Sequence, residues 1–133
     1  MSMKNVVAGI VVYKDKILVG KKVTKENHFL SGCWHLPGGH VNENESEAMA
    51  LIREFKEETN LDIQIVEKMC SNKIRENNVV ASWYLCSTKS GEVTPGDDLI
   101  EVEFVEKDKV IEKCDGRAVK VWPKEVLDYF HHK

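Results

Sequence analysis

Three glutamates, Glu54, Glu57 and Glu58, stand at positions i, i+3 and i+4 of one segment, a grouping that can do chemistry a lone acid cannot. In the same segment Ala48, Leu51, Ile52, Phe55 and the methyl of Thr59 recur at three- and four-residue steps, which predicts a helix over 46–59 with one apolar stripe. On that helix the carboxylates crowd one side, away from the stripe. Like charges at this spacing repel by roughly 0.2–0.5 kcal/mol per pair, so the arrangement wants a cation, either Arg53 and lysines or a bound metal. Oxygen donors without imidazole or thiolate suit Mg²⁺ or Mn²⁺. Taken alone, the glutamates fit a solvated acidic face more readily, because such clusters are ordinary on exposed helices.

The surrounding residues shift that balance. Reading forward from Gly39, Glu45 comes six positions on, then Arg53-Glu54-Phe55, then Glu57-Glu58, then Leu61. This register resembles the Nudix box: a Gly, five residues, Glu, seven residues, Arg-Glu-bulky, one residue, Glu-Glu, one residue, Gly-bulky. Phe55 supplies the bulk where an aliphatic is more usual. Pro37-Gly38 before the box, and Trp34 three residues before the proline, also look like this family. Asn60 departs from the pattern by standing where the family has its last Gly. That Gly closes the helix in a left-handed conformation, and Asn is the next-best residue there. So many charged positions in one register, over residues 39–61, are hard to obtain by chance.

The resemblance implies an α/β fold, a Nudix-type α/β/α sandwich with a mixed sheet. It also implies Mg²⁺-dependent hydrolysis of a diphosphate linkage in a nucleoside diphosphate-linked compound or a nucleoside triphosphate, with Mn²⁺ as a substitute metal. Carried over by position, Glu54 and Glu58 become the principal metal ligands, Glu57 a further ligand directly or through water, and the Gly38 carbonyl an extra oxygen. Arg53 then orients the glutamates; its spacing agrees, four residues before Glu57 and within reach of Glu45 from the loop. Gly38 and Gly39 let backbone approach substrate phosphates or metal with no side chain in the way. A diphosphate is already negative, so its charge must be neutralised before water can reach phosphorus. A carboxylate must take the water's proton, and Glu57 is preferred for that catalytic role. Asp97, Asp98 and Glu101 on the later acidic stretch are alternatives, or a solvated rim.

The elements that must position these groups can be read along the chain. Two β-branched-rich runs, 6–12 and 16–22, with Lys14-Asp15-Lys16 between them predict an opening hairpin. Residues 25–31 are polar and turn-prone, and Cys33-Trp34-His35-Leu36 is a short extended piece ended by Pro37-Gly38-Gly39, which reads as a loop. Asn44 or Ser46 can cap the helix, and Asn44 with Glu47 has the capping-box spacing. Strands are expected over 63–74, with interruptions, and over 79–86, turned by Glu76-Asn77-Asn78. A loop over 89–98, a half-exposed strand over 100–105 and a closing helix from Pro123 that buries Val126, Leu127 and Phe130 complete the order.

Composition bounds the rest. A chain of 133 residues, 42% hydrophobic and 31% charged, suits one domain over 1–133 with a buried core. A net charge of −3 gives no general pull on a polynucleotide, so the expected partner is a small-molecule nucleotide and not a nucleic-acid polymer. The longest apolar run, 6–13, is too short to span a membrane and no cleavable signal follows Met1, so a cytoplasmic protein is expected. Cys33, Cys70, Cys86 and Cys114 lie far apart, which favours free thiols over zinc. Phe29, Trp34, His35, Trp83 and Tyr84 can stack on a base or pack in the core, and packing is favoured for Trp83. His40, Lys21 and Lys22 can touch phosphate or remain solvated, and His131-His132 receives no role. Oligomeric state is open, a homodimer included. Two rivals stand beside the enzyme: a Nudix-fold module that senses a nucleotide without turnover, and an interaction domain whose acidic helix is merely solvated.

Overall fold

In a computed structural model, residues 3–24 and 28–132 are described; Lys25, Glu26 and Asn27, part of the expected turn region, lie outside them. The two β-branched runs form β1 (Lys4–Tyr13) and β2 (Lys16–Lys22), an antiparallel pair. Lys14 and Asp15 between them both take positive φ, 49° and 65°, the sense of turn that matches strand twist. The short extended piece is β3 (Trp34–His35), paired with β2. The next residues correct the expected loop: Gly38–His40 is a strand, β4, antiparallel to β1. Only a residue without a side chain fits at its start, because a Cβ on Gly38 would overlap the Val7 carbonyl oxygen.

Helix α1 (Glu47–Thr59) follows, then β5 (Ile63–Ile74), β6 (Val79–Thr88) and β7 (Leu99–Glu106). β6 runs parallel to β1, whereas β5 pairs antiparallel with β6 and β7 antiparallel with β2, so the sheet is mixed. Two four-residue helices, α2 (Val110–Lys113) and α3 (Gly116–Val119), precede α4 (Lys124–His131). Neither short helix was foreseen, since four residues carry too little periodicity to register.

Alternate residues of the same strands feed two cores. Val7, Val11, Leu18, Tyr84 and Cys86 pack with Leu51 and Phe55 of α1. Ile10, Ile17, Val19, Ala81 and Trp83 pack with Trp122, Val126 and Phe130 on the other side. The sheet is thus the middle layer of an α/β/α sandwich, the period-two alternation of strands deciding which helix each side chain meets. At Gly9 a Cβ would stand 2.9 Å from the Phe55 ring, so α1 seats closely on β1.

Helix α1 differs from expectation in two respects that matter for the site. Ser46, one of the two expected caps, accepts at its hydroxyl from the Met49 N–H, but the Asn44–Glu47 capping box does not form. Glu47 instead accepts from the hydroxyls of Tyr84 and Ser82 and pairs with Lys68, which fastens the helix start to β5 and β6. The buried face is also rotated from the expected stripe: Ala48 and Ile52 are exposed, and Ala50, Leu51, Glu54, Phe55, Glu58 and Thr59 are buried. Two of the three glutamates therefore lie toward the protein and not away from it. Asn60 closes the helix at φ 63°, its N–H on the Lys56 carbonyl, in the left-handed conformation anticipated for it.

Candidate active site

The site forms where α1 meets β4 and the 94–98 segment. Gly39 lies so close over Glu54 that a Cβ there would collide with its carboxylate. The loop is tied to the helix end by Thr94 N–H on the Thr59 carbonyl and Gly96 N–H on the Glu58 carbonyl, at 3.1 and 3.0 Å. That tether carries Asp97, at φ 51°, to the glutamates. Carboxylate oxygens of Glu54, Glu57 and Asp97 lie within 4.8 Å of one another, as do those of Glu58, Asp97 and Asp98. Glu101 joins neither group; it pairs with Lys21 at 3.7 Å on the β2–β7 ladder.

Arg53 organises the outer side of this cluster. Its Nε and Nη2 donate to the two Glu45 oxygens at 2.8 and 3.0 Å, and Nη2 also donates to the His40 carbonyl at 2.9 Å. Its Nη1 donates to Glu54 Oε1 and Glu57 Oε1, both at 2.8 Å. The rigid fork of a guanidinium suits this work, fixing strand, loop and helix acids together. Hydrogen bonds from Arg53, then from the Asn42 N–H, hold Glu45 down at about 2.

Glu58 is in the opposite situation. It is 3% exposed, and its Oε1 has no hydrogen-bond partner among the described residues. Burial, reinforced by the charge of Glu54 beside it, pushes its pKa up to about 9. Burial raises Glu54 as well, against the pull of Arg53. Lys22, expected at a solvated strand end, is buried, with Nζ 3.6 Å from Asp98. Hard oxygens gathered within 4.8 Å of one another, on carboxyls of which two, Glu54 and Glu58, resist ionisation and one has an unpartnered oxygen, are a donor set that fits a divalent cation.

This has a measurable consequence with a definite sign. A free glutamate ionises near 4.5, and burial beside Glu54 pushes Glu58 up to about 9. The folded state therefore keeps its full advantage below pH 4.5 and loses Glu58's contribution as pH rises toward 9. A cation held by these oxygens would remove that penalty. Mg²⁺ is expected to raise the melting temperature more at about pH 9 than at about pH 5, and Glu58→Gln should flatten the difference. Thermal denaturation with and without Mg²⁺ checks this, and an equal rise at both values would contradict it.

A cavity of about 370 Å³ is lined by Glu54, Glu58, Gly38 and Gly39 together with the apolar Val79, Trp83, Val121 and Trp122. Trp83 is 4% exposed and held by Nε1 donating to Asn72 Oδ1 at 2.7 Å; Asn72 Nδ2 donates in turn to the Val121 carbonyl at 2.9 Å. Of the five aromatic candidates, Phe29, His35 and Trp83 line the cavity. Tyr84 packs beneath α1, and the Trp34 ring lies 4.0 Å from Lys113 Nζ. His40 is exposed beside the glycines and also borders the cavity. The wall from Val121 and Trp122 was not foreseen; Trp122 directly before Pro123 was the available signal. A cavity lined by both carboxylates and apolar rings can hold a cation-bridged anion together with a flat apolar group.

Fold and site together define a mixed-sheet sandwich whose helix α1 gathers carboxylates suited to a metal beside a cavity. The NUDIX domain matches residues 3–126, and the chain belongs to the Nudix family. The ADP-ribose pyrophosphatase of Methanocaldococcus jannaschii is 33% identical over 102 residues, covering 74% of this chain and 59% of that protein. The 8-oxo-dGTP diphosphatase of Buchnera aphidicola is 38% identical over 63 residues, 47% of each chain. The chain thus matches about half the length of these relatives. A crystal structure of a NUDIX hydrolase from Nitrosomonas europaea superimposes with a TM-score of 0.83 at 21% identity, covering 98% of this chain and 72% of that one, which establishes the shared fold. Among the described residues no helix is long and apolar enough to cross a membrane.

Proposed function

We propose that the chain hydrolyses a diphosphate linkage in a nucleoside diphosphate-linked compound or a nucleoside triphosphate, using Mg²⁺ or Mn²⁺. The observation that carries this reading is the buried, unpartnered Oε1 of Glu58, a residue that lines the cavity. Glu54 and Glu58 would hold the metal, with Glu57, Asp97 and the Gly38 carbonyl as further oxygens. When bound, the metal would neutralise the diphosphate oxygens and acidify the attacking water. Arg53 keeps Glu54 and Glu57 in register, as its paired hydrogen bonds require. Glu57, 46% exposed at its side chain, has one oxygen on Arg53 and uses the other to take the proton from water. Asp97, gathered with Glu54 and Glu57, is the competing base. The apolar side chains of the cavity take the nucleoside. Four free cysteines, three of them buried, accord with a reducing, cytoplasmic compartment.

The names of the two relatives, an ADP-ribose pyrophosphatase and an 8-oxo-dGTP diphosphatase, set the substrate panel. ADP-ribose, 8-oxo-dGTP, ordinary nucleoside triphosphates, nucleoside diphosphate sugars and dinucleoside polyphosphates are to be assayed with Mg²⁺ and with Mn²⁺, and the products weighed by mass spectrometry. Metal-dependent cleavage between two phosphorus atoms of at least one member is expected. Binding of nucleotide and metal without product would favour the sensing module, and no metal binding at all would favour the solvated helix.

A further inference from the structure

His35 sits on β3 opposite Gly20 of β2 and lines the cavity beside Lys22, Phe29 and Leu36. It is 8% exposed. Its Nδ1 lies 2.9 Å from the Leu36 carbonyl oxygen. A carbonyl has no proton to give, so Nδ1 carries the hydrogen and donates it. Burial, with Lys22 and His28 nearby, keeps the ring from charging until about pH 4. A neutral imidazole has one N–H, so Nε2 is left as a bare lone pair. That atom is buried and has no hydrogen-bond partner among the described residues. An acceptor buried without a donor costs free energy that a ligand's donor would recover.

We propose that His35 Nε2 is a specificity element of the cavity, accepting a hydrogen bond from an N–H or O–H of the substrate's nucleoside. The assignment rests on the reading of this cavity as a nucleotide site and adds to it a demand on the ligand's chemistry. Trp83 and the other apolar wall residues favour any flat base, because a ring face is common to all of them. His35 adds direction: a nucleoside presenting a donor at that point is accepted, and one presenting a second acceptor is repelled. Its one N–H is already committed to the Leu36 carbonyl, so the ring cannot adapt by turning tautomer without breaking that bond.

The test is a cycle between residue and ligand. CTP is compared with its analogue lacking the exocyclic amino group, ATP with purine riboside triphosphate, and ribose with 2′-deoxyribose forms, in wild type, His35→Leu and His35→Gln. For at least one pair, removing the donor should lower kcat/KM about 10- to 100-fold in wild type, chiefly through KM, and have little further effect in His35→Leu. His35→Gln, which keeps an acceptor, should restore part of the preference. Nitrogen NMR gives a reading that needs neither turnover nor a folded variant. Nε2 of His35 should appear as the unprotonated ring nitrogen in the free protein and move when AMP or CMP is added. Additive kinetics for every pair, or a signal unmoved by both nucleotides, overturns the assignment. Either result leaves the hydrolytic reading intact, because that reading falls only if wild type cleaves no member of the panel.

Discussion

Replacing Glu58 by glutamine is expected to lower kcat by at least about a hundred-fold, since metal charge stabilisation contributes several kcal/mol and each 1.4 kcal/mol is about tenfold. The same substitution should leave the fold intact. Glutamine has the shape of the protonated glutamate that burial already favours at this position. The helix-to-loop tether is a backbone bond, from Gly96 N–H to the residue 58 carbonyl, and does not depend on the side chain. Without metal, the melting temperature of Glu58→Gln should therefore equal or exceed that of wild type near neutral pH, because a buried group that resists ionisation has been replaced by one that cannot ionise. Steady-state kinetics and thermal denaturation together make the test. A variant that is inactive because it is unfolded, or one that is stable and fully active, contradicts the assignment of Glu58.

The two glycines before the helix should separate activity from stability in a second way. At position 39 a methyl group would enter the Glu54 carboxylate, a side chain that can move. Gly39→Ala is expected to swing Glu54 off Arg53 Nη1, lowering kcat/KM about a hundred-fold and raising the Mg²⁺ concentration needed for half-maximal rate. Its stability loss should stay within the roughly 1–3 kcal/mol of ordinary overpacking. At position 38 the methyl group would meet the Val7 carbonyl and the Ala8 Cα, and backbone inside a sheet cannot step aside. Gly38→Ala should thus exceed that range in urea denaturation by detaching β4 from β1. Equal stability losses for the two variants would show that β4 is not held against β1 as described.

Much of this was legible in the residues. The Gly39 to Leu61 register sets Arg53 four residues before Glu57 and within reach of Glu45, and the structure has both contacts and a third to Glu54. The hairpin, the loop over 89–98 and the left-handed Asn60 were readable because each rests on local chemistry: β-branching, Gly and Pro, and tolerance of positive φ. The depth of Glu54 and Glu58 was not. A period of apolar residues treats every glutamate as solvent-facing, whereas the buried face of α1 is decided by β4 and the 94–98 loop closing over it. Asp97 stayed ambiguous for the same reason, because its approach depends on backbone bonds between segments some forty residues apart in the chain. The bare Nε2 of His35 follows from one hydrogen bond to a neighbouring carbonyl and from burial, neither of which has a sequence signature.

In the proposed function the buried carboxylates of α1, with Asp97, hold a divalent cation against a diphosphate. Crystals grown with Mn²⁺ and a hydrolysis-resistant ADP-ribose analogue test it directly through anomalous scattering. A manganese peak bonded to Glu54 and Glu58 oxygens and to the analogue's diphosphate is expected. A diphosphate bound in the cavity with no manganese at those oxygens would contradict it.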